Sequence, residues 1–600
     1  MSLLTALKRI YALLPGQSRK QVGILLVLML SNAFSEVSGV AALLPFAAVA
    51  SDPSLVQKQP ILRFVYEFTG SPDPQNFIVY LGTGFVLLLL AVNLLNATTF
   101  WYSLRFSFEL GCRISGRLLS SYLARPYIWF LQKNNADLAN LVLAEIDSLA
   151  ETVVLAIAEM VTMSMVAIFL IIGLLWIDPV VALTTTLLLG VLYGQIYRVA
   201  RHYLNYYGEH RVALNAQRHR AVDDALNAVK EARAFTRAPL FLQSYLERAQ
   251  KFSRFRTLER LVAELPRYGT ETLAVSSIGL ILVYLVHRGP SSQHAVPLMV
   301  LYIMATWRLV PALQTIYRNS VRVRFYGPIL ELIQAELDGG MGLADPTEQR
   351  LLLRQSIQVK SATFTYPGNR EPALNDVSLE IPRGSVVALV GRTGSGKSTL
   401  ADILAGLLQV DSGSVEVDGQ PLSQSNNLDW LRNVGYVPQE IFLVDDTLSG
   451  NVALGYSEPL INQEAVLQAA RTARLATFVE QELGQGYNTR LGERGVSLSG
   501  GQRQRVGIAR ALYLDPEFLI MDEATSALDN LTEREVMEAI QELAGQKTLV
   551  LIAHRLSTVQ LCQQIYLLEG GKLVAQGTYQ ELLQNSPEFR QLAQTELQTF

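Results

Sequence analysis

The stretch that most constrains this chain begins with an apolar run of five residues, Val386–Val390. The glycine-rich segment Gly391–Ser398 (GRTGSGKS) follows, and then an apolar helical pattern over Thr399–Leu408. Glycines spaced in this way between a strand and a helix let successive backbone N–H groups turn inward, and the start of the helix adds positive potential. This part of the chain is therefore predicted to be an α/β domain whose loop binds polyphosphate.

Within this loop, the side chains have separate predicted tasks. Lys397 is placed to reach the β- and γ-phosphates of ATP, and the Ser398 hydroxyl to ligate Mg²⁺. A glycine-rich turn that binds nothing is the alternative, and the flanking strand and helix patterns argue against it. Nucleotide contacts are expected along one continuous run, namely Gly391, Arg392, Thr393, Gly394, Ser395, Gly396, Lys397, Ser398 and Thr399.

The first half of the chain has a different composition. The chain has 600 residues, which is too many for a single core, and 50% of them are hydrophobic. Its apolar residues are concentrated in six stretches, each close to the roughly 20 residues needed to cross about 30 Å of hydrocarbon. The predicted spans are 21–48, 77–104, 150–177, 179–200, 263–287 and 295–317.

Charge gives the orientation of these spans and excludes one class of partner. Lys and Arg are concentrated before the first span and in the connections between spans two and three and between spans four and five. The positive-inside rule then places both termini in the cytoplasm. The net charge is only −3, so nucleic acid is not indicated as a partner.

The two long basic connections keep an apolar periodicity. They are interpreted as helices extended into the cytoplasm and closed by short cross-helices at Arg125–Asp137 and Arg220–Lys230, with a solvated helical hairpin as the alternative. Two other segments, Met1–Leu14 and Leu55–Phe68, have the spacing of amphipathic helices that lie in the membrane interface.

Further motifs follow the loop in the order that one nucleotide site requires. Tyr366 offers a flat ring that can stack on adenine, and Gln439 offers an amide ligand for Mg²⁺ or for the attacking water. The segment Leu498–Gln502 (LSGGQ) precedes a long helical pattern and is a second anion-binding helix start. Its predicted nucleotide contacts are Ser499, Gly500, Gly501 and Gln502.

The remaining candidates follow buried strands. Asp522 ends the apolar run that starts at Phe518 and is suited to hold Mg²⁺. Glu523 is next and is the candidate general base for the attacking water. His554, after another apolar run, is poised to sense the γ-phosphate. The candidate catalytic residues are therefore Glu523, His554, Lys397 and Gln439.

This ordered set resembles the ATP-binding cassette family across residues 355–600. The resemblance implies that two cassettes enclose two ATP molecules, each bound by the Walker A motif of one and the LSGGQ signature of the other. A chain with one copy of each motif must then pair with a second chain, either an identical copy or a paralogue. The expected cofactors are ATP and Mg²⁺.

Residues 1–340 resemble the six-helix exporter architecture, and residues 341–354 link it to the cassette. The expected fold is a membrane all-α domain fused to an α/β P-loop NTPase, which contradicts a soluble ATPase of DNA repair or translation. By this resemblance the two cross-helices are coupling helices that dock on the cassette near Gln439 and Phe442, and ATP hydrolysis drives transport.

Ionisable residues inside the spans are the direct clue to the transported molecule, because they are costly in lipid. The candidates are Arg267, Arg308, Glu36 and Glu271. One hypothesis is that Arg267 and Arg308 meet an anionic headgroup, such as a pyrophosphate. The alternatives are an i,i+4 ion pair between Arg267 and Glu271, and an Arg308 that extends to the inner headgroups or pairs with Glu36 of a neighbour.

Several short elements resemble the lipid-linked oligosaccharide flippases and the related surface-polysaccharide exporters. They are Glu36, Pro45-Phe46, Ser51-Asp52 and Trp307–Pro311 (WRLVP). This resemblance implies a lipid-linked glycan substrate and a location in the bacterial inner membrane. An exporter of drugs, phospholipid or lipid A, or peptide is the alternative, and a non-transporting channel or regulatory subunit is disfavoured because the catalytic motifs are intact.

Overall fold

The computed structural model describes residues 3–14, 16, 18–51, 56, 60–69, 74–177, 179–287, 295–340, 343, 349–492, 498–522, 530–553 and 555–597. The chain divides into two compact units. One comprises Met1–Arg125 and Gln132–Ala344, and the other comprises Pro126–Leu131 and Asp345–Phe600.

Up to Asp338 the secondary structure of the described residues is helical. The helices are α1 (Leu3–Leu13), α2 (Ser18–Ala41), α3 (Leu43–Ser51), α4 (Pro60–Thr69), α5 (Pro74–Leu123), α6 (Tyr127–Phe130), α7 (Asn135–Asn140), α8 (Ile146–Leu149), α9 (Leu155–Ile177), α10 (Pro179–Asn227), α11 (Val229–Ala234), α12 (Ala238–His287), α13 (Ala295–Tyr326) and α14 (Pro328–Asp338).

All six predicted spans are helical. Among the described residues, three stretches are long and apolar enough to cross a membrane: Ser18–Val49, Asn76–Leu123 and Asn135–Trp176. The other three predicted spans lie within α10, α12 and α13, and their crossing of a membrane stays a prediction. The predicted segments Met1–Leu14 and Leu55–Phe68 contain the helices α1 and α4, and their location in the membrane interface stays a prediction.

The helical run from Asn135 to Ile177 contains two π-helical turns, Leu141–Glu145 and Ala150–Val154, on either side of α8. A π-turn holds more residues than an α-turn and shifts the face that later residues present. The sequence pattern gave no sign of these turns, and the helix begins 15 residues before the predicted span at 150.

The cross-helices differ from their predicted bounds. The segment Arg125–Asp137 contains only the single-turn helix α6 and the start of α7. The second prediction, Arg220–Lys230, was wrong over most of its length, because α10 continues to Asn227 and the short helix is α11. Residues 220–227 (RAVDDALN) contain neither glycine nor proline, so nothing local ends the helix there.

The described residues of the second unit form ten strands, which are β1 (Ser356–Phe364), β2 (Leu374–Pro382), β3 (Val386–Val390), β4 (Ser412–Val417), β5 (Gln420–Pro421), β6 (Val434–Val437), β7 (Phe518–Asp522), β8 (Thr548–Ile552), β9 (Gln564–Glu569) and β10 (Lys572–Gly577). They form an antiparallel sheet of order β2-β1-β4-β5 and a six-stranded sheet of order β10-β9-β3-β8-β7-β6.

The helices that accompany these sheets are α15 (Lys397–Ala405), α16 (Asn427–Leu431), α17 (Leu448–Val452), α18 (Gln463–Thr472), α19 (Ala476–Glu482), α20 (Gly500–Leu512), α21 (Asn530–Leu543), α22 (Leu556–Val559), α23 (Tyr579–Asn585) and α24 (Pro587–Leu597). Two short 3₁₀ turns occur at Glu458–Leu460 and Gly486–Asn488.

Strand β3 lies inside the six-stranded sheet, between β9 and β8, and is buried at every residue. Its side chains alternate between two hydrophobic clusters: Val386, Ala388 and Val390 pack on one face of the sheet, and Val387 and Leu389 on the other. A parallel strand covered on both faces appears in sequence as an unbroken apolar run. The glycine-rich loop therefore starts from a fixed position inside the domain.

Candidate functional site

The predicted nucleotide residues follow neighbouring parallel strands. Leu389 of β3 pairs with Ile552 of β8, and Ile552 also pairs with Asp522 of β7. In β6, Val437 pairs with Met521. The carboxyl ends of these strands therefore reach the same edge of the sheet, where open α/β sheets bind ligands.

Three of the predicted residues lie at this edge: Gly391 follows β3, Gln439 follows β6, and Asp522 ends β7. The predicted general base Glu523 and the predicted γ-phosphate sensor His554 lie outside the described residues. Their roles stay predictions from the sequence.

The glycine-rich loop has the backbone that its glycines permit. Gly391, Gly394 and Gly396 have φ values of 153°, 80° and 100°, which side chains of L-residues disfavour. A Cβ atom on Gly391 would lie 2.2 Å from the Leu568 carbonyl oxygen, and one on Gly396 would lie 2.7 Å from that of Ala373. The loop thus needs glycine at these positions both for conformation and for space.

Lys397 begins α15 and its side chain is buried under the loop. Its Nζ donates hydrogen bonds to the carbonyl oxygens of Gly391 (2.9 Å) and Arg392 (3.1 Å). Ser395 is also buried, and within the described residues its Oγ has no hydrogen-bond partner. A buried hydroxyl without a partner is costly, so this atom is suited to meet a ligand oxygen.

Other side chains connect α15 to its surroundings. The Tyr366 hydroxyl lies 3.1 Å from Thr399 Oγ1, and the Tyr366 ring meets Phe364 edge-on at 5.0 Å. The predicted Tyr366 is therefore adjacent to the predicted contact Thr399, and its stacking on adenine stays a prediction.

Sequence reasoning missed Asp402, which lies on α15 beside the site. Its carboxylate accepts a hydrogen bond from the Tyr436 hydroxyl at 3.4 Å. Burial and the nearby Asp522 carboxylate raise the pKa of Asp402 from 3.8 to about 6, and the bond from Tyr436 partly opposes this shift. Two carboxyl groups in one half-buried region favour a cation between or beside them.

The short helix α6 belongs to the second unit. Ile128 packs against the hydrophobic cluster that contains Trp430, and burial raises the pKa of Tyr127, with further contributions from Asp402 and Tyr366. The first cross-helix is thus part of the nucleotide-binding unit. The second, α11, belongs to the first unit, and its docking stays a prediction.

The LSGGQ segment begins a helix, as predicted. Ser499 is the N-cap of α20: its side chain accepts a hydrogen bond from the Gln502 N–H, while the Gln502 side chain accepts one from the Ser499 N–H. This capping box leaves the start of a 13-residue helix well defined, with its positive end at the signature.

Arg510, on the same helix, was missed by the sequence analysis. Its guanidinium donates to the carbonyl oxygens of Phe442 and Asn451, each at 2.8 Å. Phe442 itself is 64% exposed. The segment after Gln439 is therefore tied to the signature helix while it presents an aromatic side chain on its surface.

In the first unit, Glu36 and Arg308 come together within one chain. Arg308 lies 3.1 Å from the Glu36 carboxylate, and Glu36 also accepts a hydrogen bond of 2.5 Å from Asn96, a residue that the sequence analysis missed. Glu36 is buried and the Arg308 side chain is 32% exposed. Of the alternatives for Arg308, the structure therefore shows pairing with Glu36.

Arg267 and Glu271 form the i,i+4 ion pair that was the alternative for them. Arg267 Nε lies 2.6 Å from Glu271 Oε1, and the side chains of Arg267 and Glu271 are 59% and 49% exposed. The structure thus places Arg267 and Arg308 in separate ion pairs with different carboxylates, and a single site formed by both arginines is not what it describes.

Comparison with known families gives the class of this fold. Residues 374–526 match the ABC transporter family, and residues 59–309 match the ABC transporter transmembrane region. Together the two matches cover most of the chain and define a helical membrane domain fused to an α/β ATPase domain. The chain belongs to the ABC transporter family and has the architecture of an ABC exporter half-transporter.

Individual relatives support the same assignment. A bacterial Atm1-family ABC exporter, solved with ATP bound, is similar with a TM-score of 0.81 and 22% identity, covering 97% of this chain and 100% of that one. The ATP-dependent lipid A-core flippases of Vibrio cholerae and Escherichia coli K12 are 44% and 42% identical over 236 residues. These matches span only 39% of this chain and 40% of each flippase.

Proposed function

We propose that two copies of this chain form an ATP-driven exporter that flips a lipid-linked oligosaccharide or a related glycolipid across the bacterial inner membrane. The observation that carries the substrate half of this proposal is the Glu36–Asn96–Arg308 cluster, since ionisable groups at this depth are expensive and mark substrate pathways. The nucleotide half rests on the residues at the carboxyl edge of the six-stranded sheet.

The loop and helix α15 fit the phosphates of ATP. Three glycines of the loop have positive φ values, the Lys397 ammonium donates to loop carbonyl oxygens, and the buried Ser395 hydroxyl has no hydrogen-bond partner among the described residues. In this assignment Lys397 contacts the β- and γ-phosphates, and Glu523 orients and deprotonates the attacking water, which His554 and Gln439 help to place. Bound ATP supplies the phosphoryl chemistry.

The same edge fits Mg²⁺. The predicted ligands are Ser398, Gln439 and Asp522, and all offer oxygen atoms, which Mg²⁺ prefers. Burial and, to a smaller extent, the Asp522 carboxylate raise the pKa of Asp402, and a cation beside these two groups would favour their charged forms. The described residues contain no group of three or more His, Cys, Asp or Glu side chains suited to a metal ion. This agrees with an ion bound mainly by phosphates and water.

The single copies of the two nucleotide-binding surfaces favour pairing with a second chain, and we infer that this chain is an identical copy. The Walker A loop and the capped start of α20 both favour phosphate, and each occurs once in the chain. We infer that the signature residues Ser499, Gly500, Gly501 and Gln502 of one chain complete the Walker A site of the other. A partner of different sequence but the same architecture would satisfy the same geometry.

The substrate assignment rests on the ion pair between Arg308 and Glu36, which an anionic substrate would have to open. The Arg308 side chain is 32% exposed, so an anionic headgroup can reach it and compete with Glu36 for its guanidinium. Phosphate or pyrophosphate groups make bidentate contacts with arginine, and a neutral lipid does not. We infer that phosphate-bearing glycolipids are selected in this way.

A reconstituted transport assay tests this proposal. The purified protein is placed in liposomes with a fluorescent polyprenyl-pyrophosphate glycan, and exposure in each leaflet is followed with and without Mg-ATP. ATP-dependent movement of the glycan lipid, with stimulated hydrolysis, is expected. The substrate assignment would be overturned if the glycan lipid neither stimulated ATP hydrolysis nor moved between the leaflets.

Lipid A is the second candidate, and the lipid A-core flippase relatives favour it. Lipid A also carries phosphate groups on a lipid, so the chemistry at Arg308 is the same. Replacing the glycan lipid by lipid A in the assay above distinguishes the two, because the true substrate gives the larger stimulation at equal concentration.

A further inference from the structure

A ladder of polar side chains joins two helices of the first unit outside the predicted membrane spans. One side belongs to the helical run Asn135–Ile177 and the other to α10. From the exposed end inward, its three rungs are Asp137–Arg220 at 2.6 Å, Asn140–Asn215 at 3.1 Å and Glu145–Arg211 at 2.7 Å. We call these six residues the polar ladder.

The inner rungs of the polar ladder are deeply buried. The side chains of Glu145 and Arg211 are only 1% and 2% exposed. Asn215 donates to Glu145 at 2.7 Å as well as to Asn140, and the Arg211 guanidinium lies 4.5 Å from the Tyr326 ring centroid. A buried ion pair is weak evidence for stability, but its directional hydrogen bonds can fix one arrangement of the two helices.

The first π-turn explains how the rungs align. From Asn140 to Glu145 the chain advances five residues, and on the facing helix Asn215 and Arg211 are four apart. In an α-helix, five residues rotate about 140° beyond a full turn, so Glu145 would point away from α10. The π-turn Leu141–Glu145 holds the extra residue and brings Glu145 back to the face of Asn140.

The ladder lies between the two cross-helices along the chain. Helix α7, which carries its outer rung, follows α6, and α10 ends at Asn227, directly before α11. Hydrogen-bonded rungs fix both axial position and rotation, whereas apolar contact is non-directional. A slip of one helix against the other would therefore change the relative placement of the segments that lead to the two cross-helices.

We propose that Glu145, Arg211, Asn140 and Asn215 are positioning residues that hold α7–α9 and α10 in one register, so that the two helices transmit nucleotide-driven movement as a single lever. This role rests on the proposed transport function. The rungs hold the π-turn Leu141–Glu145 in place. Without them this segment recovers regular α-helical hydrogen bonds, and the residues from Asn135 to Glu145 rotate relative to α10.

The test variant is E145L/R211M, which replaces the buried pair by apolar side chains of similar volume. Such replacements are often neutral or stabilising, so the variant is expected to fold. The matched control is R534M/E538L, the same change at an exposed ion pair of α21. Exposed pairs of this kind contribute little to stability.

The structural readout is the distance between spin labels at Asn135 and Phe235, which are both exposed. Cys112 and Cys562 are replaced by serine so that only these two sites are labelled. Excess unlabelled protein suppresses signals between chains. The parent and the control are expected to give one narrow distribution, and E145L/R211M a shifted or broadened one. The same distribution in all three would overturn the proposal.

The functional readout separates this role from general stability. In E145L/R211M, basal hydrolysis and the KM for ATP are expected to stay within about twofold of the parent. The amount of lipid moved per ATP hydrolysed is expected to fall at least about fivefold, which is the lower end of typical allosteric coupling between two sites. Unchanged lipid movement per ATP would overturn the proposal. A parent protein that moves no lipid contradicts the proposed function alone, because the label distances still decide the ladder.

If E145L/R211M does not fold, R211K is measured in the same way. Lysine keeps the charge but lacks the planar guanidinium that meets Glu145 and the Tyr326 ring. A smaller broadening and a smaller loss of lipid movement per ATP are then expected, and parental values in both readouts would again overturn the proposal.

Discussion

Asp402 links the nucleotide site to pH. Its pKa is raised from 3.8 to about 6 in the folded protein, so between these values the folded state binds more protons than the unfolded state. The contribution of Asp402 to stability is therefore greatest below about pH 4 and falls as pH rises to about 6. We expect D402N to remove this fall, which thermal unfolding between pH 4 and 8 without nucleotide or Mg²⁺ would measure.

The comparison of D402N with the parent is self-controlled. The two proteins should unfold alike near pH 4, where both side chains are neutral, and D402N should be the more stable at pH 7. A parallel pH dependence in both proteins would show that the Asp402 carboxyl is not the titrating group.

Arg308 should matter for transport more than for hydrolysis. In R308A the buried Glu36 carboxylate loses its cation, and the proposed contact with an anionic headgroup is removed. We expect lipid movement to fall about tenfold or more while basal ATP hydrolysis changes by less than about threefold. The measurement is lipid flipping and phosphate release on the same vesicles.

Two controls accompany R308A. R267A removes one partner of an exposed pair and should change either rate little. N96A removes the second hydrogen-bond donor to Glu36 but leaves Arg308 in place, and should weaken transport less than R308A. Equal losses of transport and hydrolysis in R308A would indicate a role in folding instead.

Among the elements, the glycine-rich loop offers a direct test of geometry. G396A forces a side chain into a residue with a φ of 100° and 2.7 Å from the Ala373 carbonyl oxygen. The strain is expected to cost about 1–3 kcal/mol and to weaken ATP binding. Titration with a fluorescent ATP analogue measures the affinity. The control is G368A, which has a similar φ of 90° but open space around its Cβ.

Sequence predicted the elements that local pattern determines. The strand Val386–Val390 was confirmed residue for residue, because a run buried on both faces is apolar throughout. The signature helix was confirmed as well, because Ser499 and Gln502 form a capping box. The end of α10 was misplaced, since residues 220–227 carry no signal for it.

The parts that sequence missed depend on contacts between distant segments. Asp402 becomes notable only because Tyr436, Asp522 and burial meet around it. Asn96 and the polar ladder are likewise defined by partners at least 60 residues away, and the first π-turn ends at Glu145, which belongs to the ladder. Polar residues on long helices give no periodic signal that identifies their partner.

At the scale of the whole molecule, we expect ATP binding to bring the two nucleotide-binding domains of the dimer together and hydrolysis to separate them. E523Q keeps the acceptor geometry but loses the general base, so hydrolysis should fall by about a hundredfold or more while ATP binding persists. Light scattering or crosslinking in Mg-ATP should then show closed dimers that outlast those of the parent. Hydrolysis near the parent rate would remove Glu523 from this role.

The central claim is that each nucleotide site is shared between two chains, and mixed dimers test it most directly. In K397A the chain's own Walker A site is impaired, and in S499R its signature is impaired, so homodimers of either variant contain only defective sites. A mixed dimer pairs the intact Walker A of the S499R chain with the intact signature of the K397A chain.

The measurement is ATP hydrolysis of the purified mixed dimer, isolated with two different affinity tags. The account predicts that hydrolysis returns to about half of the parent rate, since one of two equivalent sites is complete. A mixed dimer as inactive as both homodimers would contradict the shared site. It would mean that each chain uses its own signature for hydrolysis, or that the signature takes no part.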